Sequence, residues 1–148
     1  MGVNRPRGFT LIELLVVLAI LGMAYSLVPP LFTGARSGAE LKGAARQLAA
    51  GLRLARNSAV TGRTEAVLTL DVEKRVFTVS GNKKTFRLPA EVHVKLVTAE
   101  HEVISDKSAA IRFFADGSSN GGRVTLSSGE RSYEVDVNWL TGRVAILG

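Results

Sequence analysis

The rhythm of apolar and polar positions changes twice along the chain. From Phe9 to Phe32 the sequence is almost continuously apolar, and Glu13 is its only charge. A membrane-spanning helix needs about 20 mostly apolar residues, so this stretch predicts such a helix over 9–32. Beyond Gly34 the apolar positions thin to Leu41, Ala44, Ala45, Leu48, Leu52, Ala55 and Ala59, with Lys42, Arg46, Arg53 and Arg56 on other faces. Spacings of three and four predict an amphipathic continuation of the helix over 33–62. Thr61-Gly62 ends it, with the glycine suited to a left-handed cap. A helix from Phe9 to Thr61 would be about 80 Å long at its regular rise. Proline removes a helical hydrogen bond and clashes with the preceding turn, so Pro29 and Pro30 predict a kink or a locally melted stretch. A helix ending at the membrane surface accounts for them equally well. The basic face of the second half reads as solvated.

From Glu65 the period shortens to two. Leu68, Leu70 and Val72 alternate with Thr69 and Asp71; Val92, Val94 and Leu96 with His93 and Lys95; Tyr133, Val135, Val137 and Trp139 with Glu134, Asp136 and Asn138. Shorter runs lie at 76–80, 85–88, 111–114, 124–126 and 144–147, with turn residues at Gly81-Asn82, Pro89, Asp116-Gly117, Ser128-Gly129 and Thr141-Gly142. Seven or eight short strands predict an α+β fold. A long N-terminal helix, transmembrane in its first half, packs on an antiparallel two-sheet β domain over 63–148. Phe113 and Trp139 are expected on core faces.

Composition narrows the chemistry. The 148 residues suit one domain with a modest core. With no cysteine, disulfides, thiolate metal sites and cysteine nucleophiles are excluded together. The formal charge of +6 falls to +4 if Arg5 and Arg7 are removed, and it reads as surface charge before it reads as nucleic-acid binding. His93 lies on an alternating strand and His101 in a polar connection, neither with a serine or aspartate at catalytic spacing, so no catalytic residue is assigned. Asp116, Ser118, Asn120 and Gly121 match the first half of a calcium loop, but Ser127 stands where its bidentate acid belongs. The segment therefore reads as a mobile glycine-rich turn, and no metal or cofactor is expected.

At the N-terminus, Arg5 and Arg7 precede the apolar run and belong on the cytoplasmic side, which places the rest of the chain across the membrane. The run exceeds the 7–15 apolar residues of a secretory signal and ends in Val28-Pro29-Pro30 without a small-x-small step. An uncleaved anchor fits its length but leaves Glu13 unexplained, because a buried carboxylate costs about 2.5–3.5 kcal/mol on insertion scales. Gly8-Phe9-Thr10-Leu11-Ile12-Glu13 resembles the processing motif of type IV prepilins and pseudopilins. The resemblance implies that 1–8 is a basic leader cut after Gly8 by a prepilin peptidase, and that the new amine of Phe9 is N-methylated. It further implies that Glu13 pairs with the N-terminal ammonium of a neighbouring subunit during assembly. Such a pair would set axial register, which lipid alone does not impose.

Three later segments extend the likeness. Leu54–Val60, Phe113–Val124 and Val137–Val144 resemble the H-type minor pseudopilins of type II secretion and the FimT-like minor pilins, with Ala115 where many relatives carry proline. The resemblance implies a non-enzymatic structural subunit of a periplasmic pseudopilus at or near its tip. It would be single-pass in the bacterial inner membrane, with the β domain in the periplasm. Its partners would be other major and minor pseudopilins. A rival reading is a minor pilin that binds DNA for uptake, through a patch of Arg123, Arg131 and Arg143 with Lys83, Lys84 and Arg87. A third is a monomeric anchored periplasmic domain.

Overall fold

The structure, a computed structural model, describes the backbone of residues 8–97, 103–105 and 108–148, and the side chains of 8–26, 38–97, 108 and 110–148. The chain divides into two compact units, 1–36 and 37–148. Among the described residues one helix, α1 (Leu11–Gly62), is followed by nine strands. The helix runs through Pro29 and Pro30, so it neither ends nor melts there, while residues 1–7 of the expected 1–8 leader and His101 lie outside the described residues. Among the described residues no helix is long and apolar enough to cross a membrane; described side chains of the N-terminal apolar stretch end at Ser26.

In the first unit, α1 starts from a local hydrogen-bond pattern. Thr10 stands just before the helix, its hydroxyl oxygen accepts from the Glu13 amide at 3.3 Å, and its carbonyl accepts from Leu14 at 3.2 Å. Thr10-Leu11-Ile12-Glu13 thus occupies the positions of a capping box.

In the second unit, the stripe expected from Leu41 to Ala59 is buried at every one of its seven positions, and Ala49 joins it. Gly51 sits on the same face because nothing larger fits: a Cβ there would lie 2.5 Å from the Phe77 ring. The helix ends at Gly62, but the left-handed cap expected of that glycine falls one residue later. Arg63, at φ 51°, takes the left-handed position, and Thr64 donates back to the Ala59 carbonyl at 3.2 Å. That is a Schellman closure with Gly62 as the last half-helical residue.

The strands are β1 (Ala66–Asp71), β2 (Val76–Val79), β3 (Thr85–Arg87), β4 (His93–Val97), β5 (Val103–Ser105), β6 (Ser108–Phe113), β7 (Gly122–Ser128), β8 (Arg131–Val137) and β9 (Val144–Leu147). They form a five-stranded sheet, β3-β2-β1-β6-β5, and a four-stranded one, β4-β7-β8-β9, with every pairing antiparallel. The short β5 carries no alternating pattern and was not legible beforehand. Inner positions of both sheets, among them Leu68, Leu70, Phe77, Ile111, Val124, Leu126 and Val135, share one core with the helix stripe. Phe113 is fully buried as expected, but Trp139 is 65 % exposed. The alternation of β8 stops at Val137, and Asn138 turns the chain away before Trp139 can face inward.

Candidate functional site

The three later segments singled out by sequence meet in space. Arg56, on α1, donates through Nε to the carbonyl oxygens of Gly117 and Thr141, both at 3.2 Å. One side chain from Leu54–Val60 therefore ties together the turn of Phe113–Val124 and the turn of Val137–Val144. The reading of Arg56 as merely solvated is corrected: it is half-buried, because two turns present carbonyls to it. Gly142, at φ 62°, packs directly on the Gly117 carbonyl, so no Cβ fits between them.

The turns themselves are stitched. Asn138 accepts through Oδ1 from the amides of Leu140 and Thr141 and from the Thr141 hydroxyl, at 3.0–3.1 Å, while its carbonyl accepts from Gly142 at 2.8 Å. In the other turn Gly117 donates to the Phe114 carbonyl and Phe114 to that of Ser118, both at 2.9 Å. Asp116 accepts from the Ser118 hydroxyl at 2.6 Å and its amide at 2.9 Å. The Ser118 side-chain hydrogen bond, then the backbone one, holds the Asp116 carboxyl below the usual carboxylate range. Ser119 is buried, donating from its hydroxyl to the Arg112 carbonyl at 2.6 Å and from its amide to that of Trp139 at 2.8 Å. Asn120 exchanges bonds with Arg112 through both backbone and side chain. The expected mobile turn is instead held at both ends, because Asp116 accepts from Ser118 within the turn and Ser119 and Asn120 bond to the backbone of the preceding strand.

Beside this junction Arg53, Arg56, Asn57, Thr141, Gly142, Arg143 and Val144 line an open groove of about 500 Å³. Arg53 also donates to the Val144 carbonyl at 3.4 Å.

The residues proposed for a DNA patch are not brought together. Arg123 pairs with Asp136 at 3.0 Å and Glu134 at 3.2 Å, and these acids, Asp136 first, raise its pKa further. Arg131 stands at the far end of the β7–β8 hairpin, opposite Ser128, about 17 Å along β8 from Asp136. It packs over Gly38 of the helix. Arg143 lines the groove. Lys83, Lys84 and Arg87 belong to the β2–β3 hairpin of the other sheet, where Lys84 lies over the Phe86 ring at 5.7 Å. His93 is exposed on β4. The register of antiparallel pairing, which no local pattern encodes, decided where each of these charges went.

At the N-terminus, Gly8, Phe9, Thr10 and Glu13 surround a second, shallow hollow. Gly8–Thr10 is non-helical and exposed, and a Cβ at Gly8 would meet nothing. Glu13 is exposed in the first helical turn, next to Phe9 at 83 % exposure. Sequence reasoning missed Thr10, Arg56 and Asn138. The T-x-x-E spacing would have disclosed Thr10, and Asn-x-x-Thr-Gly the turn at Asn138; nothing local discloses Arg56.

Two family models match the chain: the prokaryotic N-terminal methylation motif over residues 3–24, and the Type II transport protein GspH over residues 44–142. The chain is similar to the Type II secretion system protein H of Xanthomonas campestris pv. campestris, 35% identical over 141 residues that cover 95% of this chain and 83% of that protein. Among solved structures it is similar to the minor pseudopilin EpsH from the type 2 secretion system of Vibrio cholerae, with TM-score 0.59 and 13% identity over 74% of this chain and 97% of that one. It is also similar to the type IV minor pilin FimU of Pseudomonas aeruginosa, with TM-score 0.58 and 17% identity over 76% and 91% of the two chains. At these identities the structural likenesses establish the shared pilin-like fold.

Proposed function

The chain belongs to the family of the Type II transport protein GspH and is a minor pseudopilin subunit of the type II secretion system, and from that premise we propose how its parts act. Membership implies a membrane-anchored periplasmic subunit that assembles with other pseudopilins. In our reading, residues 1–8 are cut away after Gly8 by prepilin peptidase and Phe9 is N-methylated. Residues 9–32 then hold the chain in the inner membrane, and 63–148 lie in the periplasm. The subunit joins the pseudopilus at or near its tip, and its role is structural, not catalytic.

The observation that carries this reading is the exposed apolar helix face. Phe9, just before the helix, and the large apolar residues of the helix from Leu11 to Tyr25 are each between 47 and 83 % exposed. Apolar surface favours burial by about 25 cal/mol per Å², so such a stretch is built for lipid and for other helices. Glu13 is the single charge in that surface. In an apolar bundle an unpaired carboxylate is costly, and a neighbour's N-terminal ammonium offsets it. Replacing Glu13 with Gln tests the proposal. The variant should be processed and membrane-bound, yet absent from the pseudopilus, with secretion abolished; unchanged recruitment and secretion would end the reading. Mass spectrometry of the native chain should find methylated Phe9 first.

A further inference from the structure

Several of the basic side chains on the β domain have an acid beside them: Arg112 pairs with Glu65 at 2.7 Å, Arg123 with Asp136 and Glu134, Lys74 with Asp71 at 3.5 Å. The groove beside the three-segment junction differs. Arg53, Arg56 and Arg143 all line it, and among the described residues none of the three has a carboxylate partner. The helix contributes no acid between Glu40 and Glu65 that could neutralise them. Two of the guanidiniums are already oriented by backbone carbonyls, Arg53 by Val144 and Arg56 by Gly117 and Thr141. Their remaining N–H groups are held at little further entropic cost. Trp139 and Leu140, which immediately precede groove-lining Thr141, are 65 % and 64 % exposed.

We propose that this groove is a docking site for an acidic segment of another protein subunit. An Asp or Glu side chain enters among Arg53, Arg56 and Arg143, and an adjoining apolar residue lies on Trp139 and Leu140. This rests on the reading of the chain as an assembly subunit and names the chemistry of one of its neighbours. Charge complementarity selects an anion, and a guanidinium matches a carboxylate in a two-bond fork. The exposed Trp-Leu pair selects a protein over a nucleic-acid backbone, since aromatic and apolar anchors beside arginine are the composition of protein hot spots. A phosphate backbone would instead need a run of cations, and Arg123 and Arg131 do not extend the groove.

The test is photo-crosslinking in cells that carry the secretion system, using the full-length chain with benzoylphenylalanine in place of Leu140. The expected result is an adduct with a protein subunit, mapped to a segment that contains Asp or Glu. Arg143→Glu and, separately, Arg53→Glu should cut the adduct at least fivefold, while Arg143→Lys retains most of it. Replacing the mapped acid by Lys should restore the adduct to the Arg143→Glu chain. An adduct indifferent to both reversals, an adduct with nucleic acid, or no adduct at all overturns the proposal. Running Glu13→Gln in parallel separates the two readings. Recruitment that survives Glu13→Gln overturns the assembly reading, whereas indifference to the arginine reversals overturns the groove alone.

Discussion

The Arg56 guanidinium lies 3.2 Å from the carbonyl oxygen of Gly117, a residue 61 positions further along the chain. The same Nε also faces the Thr141 carbonyl. A helix side chain thereby fixes two turns that approach each other closely enough for Gly142 to rest on the Gly117 backbone. Everything built on those turns, including the groove and the exposed Trp139, depends on that junction.

Arg56→Ala should destabilise the folded chain by about 1–2 kcal/mol, the lower part of the range for charged hydrogen bonds because the side chain is half-exposed. Arg56→Lys should lose nearly as much, since an ammonium has no Nε placed between the two carbonyls. Thermal unfolding in detergent, followed by circular dichroism of the β signal, measures both. Melting temperatures unchanged within a degree would remove Arg56 from the junction.

Gly142→Ala and Gly129→Ala form a controlled pair. Both glycines have positive φ, 62° and 60°, but only Gly142 has a backbone carbonyl where the methyl would go. Gly129→Ala should cost about 1 kcal/mol from the left-handed backbone alone. Gly142→Ala should cost several-fold more and reduce the amount of folded protein recovered. Equal losses would mean that the close approach to Gly117 carries no energy.

Thr10→Ala should weaken the start of α1 by about 1 kcal/mol, within the usual range for a lost N-cap, and Thr10→Ser should not. The readout is amide hydrogen exchange at Glu13 and Leu14, which should speed up while the β domain's melting temperature stays constant. Exchange no faster than in the parent chain would show that the Thr10 hydroxyl does not cap the helix.

Acid should act on the Asp116 turn. Its carboxyl titrates below the ordinary range in the folded state because Ser118 donates to it, side chain first. A lowered folded pKa means that the stabilisation is complete above the unfolded value, about pH 4, and is lost as pH falls through the folded value. The stability gap between the parent chain and Asp116→Asn should therefore be constant from pH 7 to 5 and close as the pH drops below about 4. A gap independent of pH would assign the turn's stability to its other hydrogen bonds.

What the sequence determined by itself is whatever depends on near neighbours. The buried stripe from Leu41 to Ala59 follows from a period of 3.6, and the inward faces of β1 and β8 from a period of two. Positive-φ glycines stand at the turns read from Gly81, Gly117, Gly129 and Gly142. The Gly8–Glu13 motif was readable because its six residues are contiguous. Tertiary structure alone decided the rest. Pairing of β1 with β6, and the register that sets Arg123 against Asp136, arise from contacts between distant segments. Trp139 left the core because Asn138 found its partners in a turn and not in a strand. Arg56 became the tie between three segments because folding, and no local pattern, placed two unpaired carbonyls within reach of one guanidinium.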